Sequence, residues 1–462
     1  MRYDTLYFVF FLTAVWFAFA LVPWRGWVLL AASIVFYAVA GPRDTILAAV
    51  LVLINYAFQF PIMRDRRWLY AALFINFGCL AYFKYRVFLS TAAGLNLFTG
   101  NIVIPLGISF YVFQLSAFLI DLSHGRAQPF TSLARFCLFK LFFGQLIAGP
   151  IMRWSKFGPQ INRLFDRKIV PGRCRLVGLG LGLCLLGVTK KVVLADSLAP
   201  FVDAIFHNGP ASAAAAWLGA WLFLFQIYFD FSGYSDIALG LGLIFGMVLS
   251  RNFATPFLAT SLPELWQRWH ITLTLYFRDY VFFPLAGLHL RGARFRVAAP
   301  LFAVVLTMAL CGLWHGAGWN FIVWGMLQGL AMAFSTIWTR YLPKPYVALS
   351  WAATFGFFLV SVVFFRAANL SSAMDYLGTL SGFGGIGPER VPDDGAGGLL
   401  IVAGCLSLLC LHWLEDLLLS RRWVRWLLRM DGLFLRAAFA GMAIWILVIP
   451  KINNNPFIYF RF

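Results

Sequence analysis

The sequence predicts an all-α polytopic membrane protein, and three observations carry that prediction. Apolar residues fill 61% of the 462 positions and charged residues 12%, where a soluble chain is roughly a quarter charged. That much apolar side chain cannot be hidden inside one globular core, so lipid must be the solvent for much of the surface. The apolar residues form continuous runs, as from Trp217 to Phe229, where Gln226 is the one strongly polar side chain. A β-barrel shows short alternating segments instead. Finally, the basic residues gather in short loops between the runs, the positive-inside pattern of a multi-pass chain. The net charge of +19 is therefore topological, and no nucleic-acid partner is expected.

A membrane span needs about 20 apolar residues. In chain order the spans are expected at 5–22, 26–40, 45–62, 67–82, 102–120, 133–151, 177–206, 214–247, 272–288, 297–314, 319–338, 346–365, 398–417 and 434–450. Met1 to Asp4 lead straight into the first run and are barely basic, which favours a span over a cleaved signal. The stretch from Ala214 to Met247 is too long for one crossing and predicts a span joined to a re-entrant or tilted piece. About ten to twelve crossings follow, with several shallow elements.

Four basic clusters set the expected cytoplasmic face: Arg64, Arg66 and Arg67; Arg153 through Arg175; Arg291, Arg294 and Arg296; and Arg421 through Arg429. The Gly-, Pro- and Asp-rich segment from Gly382 to Gly398 reads as an outward-facing loop. No internal repeat, low-complexity tract or soluble domain interrupts the pattern, so residues 1–462 are expected to form a single integral-membrane domain. Gly178-Leu179-Gly180-Leu181-Gly182 and Gly240-Leu241-Gly242 predict close helix packing. The seven cysteines include no CxxC pair and behave as small hydrophobes.

Two of the six histidines stand out. Around His270 the chain reads Pro263-Glu264-Leu265-Trp266-Gln267-Arg268-Trp269-His270, then reaches Arg278-Asp279-Tyr280. If this stretch is helical, Trp266 and His270 share a face and Glu264 pairs with Arg268 at i, i+4. Two readings stand: a functional cluster, or an interfacial aromatic belt on a salt-bridged helix. His315 lies in Cys311-Gly312-Leu313-Trp314-His315-Gly316-Ala317-Gly318-Trp319-Asn320. Glycine there lets a backbone or a substrate approach closely. A neutral imidazole can take a proton from a hydroxyl, and a buried structural histidine is the other reading. His124, His207, His289 and His412 read as structural or surface groups.

Asp230 and Asp236, six apart in an apolar context with a break expected at Gly233, serve either an ion pathway or a pair with a basic residue. Lys190, Lys191 and Asp196 are expected at an interface, where lysines snorkel. No metal-ligand spacing, Walker motif or serine elbow is present.

Taken in order, several stretches resemble the membrane-bound O-acyltransferase family. They are Gly107-Ile108-Ser109-Phe110 with Gln114 and Asp121, Gln145 through Ile151, Asp230 through Asp236, and Arg251-Asn252-Phe253 with Pro256. Trp266 through Thr274, Arg278-Asp279-Tyr280 with Pro284, Gly312 through Ala317, and the closing Pro456 through Phe462 complete the set. The resemblance runs from about Phe83 to the end and is closest to the bacterial branch, which includes alginate and peptidoglycan O-acetyltransferase membrane subunits and the teichoic acid D-alanyl transfer protein. Gly144, Ala286 and Cys311 depart from the family's pattern.

The resemblance implies a rosette of tilted helices with re-entrant segments around a central tunnel, in the bacterial inner membrane. It implies His315 as the catalytic residue and His270 as a second polar group. Trp266, Trp269, Arg268, Trp314, Asn320, Asp230 and Tyr234 are the residues expected to contact substrate. No metal or bound cofactor is expected. The donor would be an acyl thioester, acetyl-CoA or a phosphopantetheinyl carrier, and the acceptor a hydroxyl of an exported polysaccharide. An extracytoplasmic esterase-like partner would complete the transfer. The rival class is an ion-coupled transporter, or an acyl-group translocator without transfer chemistry of its own, relaying charge through Asp230, Asp236 and the histidines.

Overall fold

In the computed structural model the protein is described over residues 6–95, 97–98, 103–146, 149–166, 173–287, 295–343, 345–382 and 406–415. These residues are helical or irregular, with no β-strand among them. Among the described residues seven helices are long and apolar enough to cross a bilayer: Pro42–Arg64, Arg67–Ala92, Leu176–Asn208, Ala213–Ile244, Ala298–His315, Trp319–Tyr341 and Val347–Arg366. Four shorter apolar helices, Tyr7–Leu21, Arg25–Val39, Ile108–Ser123 and Leu406–Glu415, accompany them. The chain is a multi-pass membrane protein. The expected span at 434–450 and the loop after Gly382 lie outside the described residues.

Three expectations are corrected. The run 133–151 is not one span: its helix covers Leu133–Leu141 and stops at Phe142, whose ψ of 116° leaves the helical range. Beyond it, Phe143 to Leu146 form turns and not helix, and an added Cβ at Gly149 would lie 2.4 Å from the Gln145 Cα. The long run near Ala214 is a single 32-residue helix, Ala213–Ile244. It continues through Gly233, where a break was expected, because its residues are buried on every side from Leu224 to Ala238 and packing outweighs the roughly 1 kcal/mol helix cost of one glycine. The i, i+4 relation of Trp266 to His270 also fails, as described below.

The described residues divide into two compact units, one lying within Met1–Val188 and Tyr234–Arg251, the other within Thr189–Gly233 and Asn252–Arg429. Polar side chains inside the first pair across its helices, as the absence of water in hydrocarbon requires. Asn55 and Asn76 exchange amide hydrogen bonds of 2.8 and 2.9 Å. Gln59 does the same with the backbone of Phe130. The Lys140 ammonium donates to the Gln114 carbonyl at 2.8 Å and lies 3.9 Å over the Phe139 ring. Gly180 and Gly240 meet backbone to backbone, each with the other's carbonyl where a Cβ would go, which is the close packing their pattern predicts.

The second unit is built on glycine contacts between Phe295–His315 and Trp319–Tyr341. A Cβ on Gly312 would stand 2.1 Å from the Phe321 carbonyl oxygen, and one on Gly325 2.1 Å from that of Met308. The turn Gly316-Ala317-Gly318 reverses the chain between the two helices. The near neighbour that Gly312 and Gly325 admit is another backbone, and the one beside Gly316 is the Phe321 ring.

Candidate active site

Every sequence-nominated residue except Tyr234 falls in the second unit; Tyr234 is buried one turn beyond Asp230 on the same long helix, in the first. His315 closes the helix Phe295–His315 and is 4% exposed. Its imidazole meets Trp314, Phe365 and Trp324, all edge-on, at ring distances of 4.8, 5.0 and 5.5 Å. His270 is fully buried. Its ring packs edge-on against Phe231 at 4.6 Å and against Trp314 at 6.1 Å. The Trp314 indole thus touches both imidazoles, and residues far apart in the chain converge on one aromatic cluster.

Local sequence explains how His270 is presented. Ser261 caps the helix Leu262–Arg268 by accepting from the Glu264 N–H, and Pro263 sits in its first turn, where a missing N–H costs nothing. The helix stops at Trp269, which is extended, and His270 takes the left-handed conformation at φ 41°. A non-glycine residue there costs about 1 kcal/mol or more and persists only where its surroundings hold it. They do so here. The backbone of 252–254 pairs with 268–271 through Ala254 N–H to Arg268 O at 2.9 Å and Ile271 N–H to Asn252 O at 2.8 Å. The Asn252 side-chain oxygen accepts from the Thr272 hydroxyl at 2.6 Å. His270 is therefore carried on a strained turn and not on the face of the helix that bears Trp266.

The remaining nominated residues divide by what they touch. Trp266 is buried against Trp324 and Phe358. The indole N–H groups of Trp266 and Trp324 are buried and meet no acceptor among the described residues. Buried donors are nearly always paired, so these two are donors left available among the described residues. Trp269 packs on Phe253, Phe257, Phe358 and Tyr228. Asn320 donates to the carbonyls of Phe364 and Ala367 at 3.0 and 3.1 Å, which ties the end of Val347–Arg366 beside His315.

Arg268 and Asp230 are engaged with carboxylate and ammonium partners. Arg268 pairs with Glu264 at 2.7 Å at the expected spacing, about a third exposed. Desolvation acts to raise the Glu264 carboxyl. Hydrogen bonds from the Thr260 N–H and hydroxyl, with the Arg268 charge, outweigh it and hold the group below its usual range. Asp230 pairs with Lys191 at 2.6 Å, and Lys191 also meets Asp196 at 2.8 Å. Lys190 and Lys191 are buried on a π-turn, Thr189–Ala195, with their ammonium groups on carboxylates and not snorkelling to water. The wider turn sets Lys191 and Asp196, five apart, within reach of each other.

Sequence reading did not single out Trp324 or Phe365, and gave Phe231, Asn252 and Thr272 only as parts of motifs. Apolar rings in an apolar chain carry no signal of their own, and the Asn252–Thr272 bond joins positions 20 apart. Among the described residues no group of histidine, cysteine and carboxylate side chains is arranged to hold a metal ion.

Comparison with known sequences is consistent over the same region. The profile of the MBOAT, membrane-bound O-acyltransferase family matches residues 84–374. The probable alginate O-acetylase AlgI of Azotobacter vinelandii is 36% identical over 379 residues, 78% of this chain and 73% of the relative. The peptidoglycan O-acetyltransferase of Helicobacter pylori is 34% identical over 399 residues, 78% and 74% of the two chains. The teichoic acid D-alanyltransferase of Streptococcus thermophilus is 30% identical over 245 residues, 51% and 57% of the two.

Proposed function

The chain belongs to the membrane-bound O-acyltransferase family and is an O-acyltransferase, and from that premise we propose that it moves an acetyl group from a cytoplasmic thioester to a hydroxyl of an exported polysaccharide. The donor in this reading is acetyl-CoA or a phosphopantetheinyl carrier, and the chain works in the bacterial inner membrane. Transfer to the sugar is completed directly or through an extracytoplasmic esterase-like partner. The observation that carries the reading is the convergence of His315 and His270 on the Trp314 indole inside one buried aromatic cluster. The names of the relatives that match over 78% of the chain supply acetyl as the group and a polysaccharide or peptidoglycan as the acceptor class.

In this mechanism His315 accepts the proton of the acceptor hydroxyl as that oxygen bonds to the thioester carbonyl carbon. The C–S bond then breaks, and the departing thiolate recovers the proton from His315, so no net proton is released. General-base assistance contributes about 10²–10⁴-fold. The carbonyl oxygen gains negative charge along the way, and donors fixed beforehand stabilise it most. The Trp324 N–H, on the ring beside His315, and the Trp266 N–H are the candidates for that task. His270, held by its strained turn, orients the acceptor. The aromatic walls exclude water that would hydrolyse the thioester.

Mass spectrometry of surface glycans from cells with and without the chain tests the assignment. O-acetyl esters present only with the chain support it, and identical ester content in both overturns it.

A further inference from the structure

The second unit contains a buried polar cluster that the transfer chemistry does not use. The Glu415 carboxylate accepts from the Lys190 ammonium at 2.5 Å and from the Tyr228 hydroxyl at 2.6 Å. One turn earlier on the same helix, Leu406–Glu415, His412 is fully buried, and its Nε2 accepts from the Phe257 N–H at 3.3 Å. The Phe257 carbonyl accepts from the Trp351 indole at 2.8 Å, so the Phe257 backbone is held at both its N–H and its carbonyl. The arrangement requires His412 neutral with its proton on Nδ1, the nitrogen facing Glu415 Oε2 at 3.8 Å.

These groups stand directly behind the turn that carries His270. The Phe257 ring is 4.9 Å from His412 and 6.0 Å from Trp269. Tyr228 is 4.8 Å from His412, 5.7 Å from Phe253 and 6.1 Å from Trp269. Phe253 in turn packs on Trp269 and on Phe231, and Phe231 packs on His270. Burying ionised groups is costly unless they are paired. A cluster so placed fixes one geometry for everything packed on it.

We propose that His412 and Glu415 are positioning residues for the acyl-transfer step: from the Leu406–Glu415 helix they clamp Tyr228 and the Phe257 peptide, and so fix the turn bearing Trp269 and His270. The proposal rests on the reading of His270 and His315 given above. Neither His412 nor Glu415 contacts the reacting groups in it. Their influence passes through the Tyr228, Phe253 and Phe257 rings.

The test measures acetyl-ester formation on endogenous polysaccharide in sealed native-membrane vesicles, with acetyl-CoA as donor, per folded molecule. His412→Phe keeps a ring against Tyr228 and Phe257 but removes the acceptor, and kcat falls about tenfold while KM for acetyl-CoA stays within about twofold. His412→Gln restores an acceptor near the position of Nε2 and recovers most of the rate. A role in folding alone would lower the folded fraction and leave kcat per folded molecule unchanged. Tyr228→Phe removes one hydroxyl without disturbing packing and serves where His412→Phe does not fold; its kcat falls several-fold. Wild-type kcat in these variants while His315→Ala is inactive overturns the positioning role and leaves the functional reading standing. Undiminished turnover by His315→Ala overturns both.

Discussion

Replacing His315 with alanine lowers acetyl transfer by about 10²–10⁴-fold, the range a positioned general base contributes. The fold should survive the change. The helix Phe295–His315 ends at this residue, and the close backbone contacts that join it to Trp319–Tyr341 lie at Gly312 and Gly325, so the loss of the ring contact with Trp324 leaves them in place. The variant is therefore expected at near wild-type abundance with normal detergent-extracted size, and with KM for the thioester little altered. His270→Ala should behave differently. It removes a ring packed against Phe231 and Trp314 and leaves a left-handed non-glycine turn in place. Both stability and turnover should fall. Comparing rates per folded molecule separates the base from the residue that orients the acceptor. Wild-type turnover in a well-folded His315→Ala would exclude His315 as the base.

Replacing Gly325 with valine should prevent folding. The first carbon added would lie 2.1 Å from the Met308 carbonyl oxygen and 3.0 Å from the Ala309 Cα. Both are backbone of the neighbouring helix, so neither can rotate away as a side chain would. Overpacking where side chains can still adjust costs about 1–3 kcal/mol, and a backbone clash at this distance costs more. Without lateral hydrophobic attraction between helices in lipid, close approach at small residues is a principal source of association. The control is Gly356→Ala, where an added carbon meets nothing within 4 Å. There the gain in helix propensity leaves stability equal or slightly raised, by at most about 1 kcal/mol. Thermal unfolding followed by size-exclusion chromatography checks both. Equal midpoints for Gly325→Val and wild type would show that this contact does not hold the unit together.

The site was legible in the sequence where chemistry is rare for its surroundings. An imidazole between glycines and tryptophans in an apolar run is costly enough to mark itself, which nominated His315, and His270 was nominated by the charge and aromatic rings packed around it. The Glu264–Arg268 pair was readable because its partners are four apart on one helix. What could not be read depends on long-range contacts or on backbone form. The left-handed turn at His270 is imposed by pairing with residues 252–254, and no local periodicity encodes it. Glu415 and Lys190 are 225 positions apart, and each alone looks like an ordinary charge near a span end. The expected span at 133–151 failed for a related reason: its apolar composition suits a buried irregular segment as well as a crossing helix. The glycines of 312–318 announced a close approach without saying whether backbone or substrate makes it.

The most direct test of the central claim follows label across a sealed membrane. Acetyl-CoA labelled in its acetyl group is supplied to the cytoplasmic face of native-membrane vesicles containing the chain, and label is sought as alkali-labile ester on polysaccharide at the other face. Wild-type chain gives labelled ester with release of one free thiol per ester formed, and His315→Ala gives neither. Ion flux driven by the chain with no thioester consumed, or equal ester formation by His315→Ala and wild type, would contradict the account.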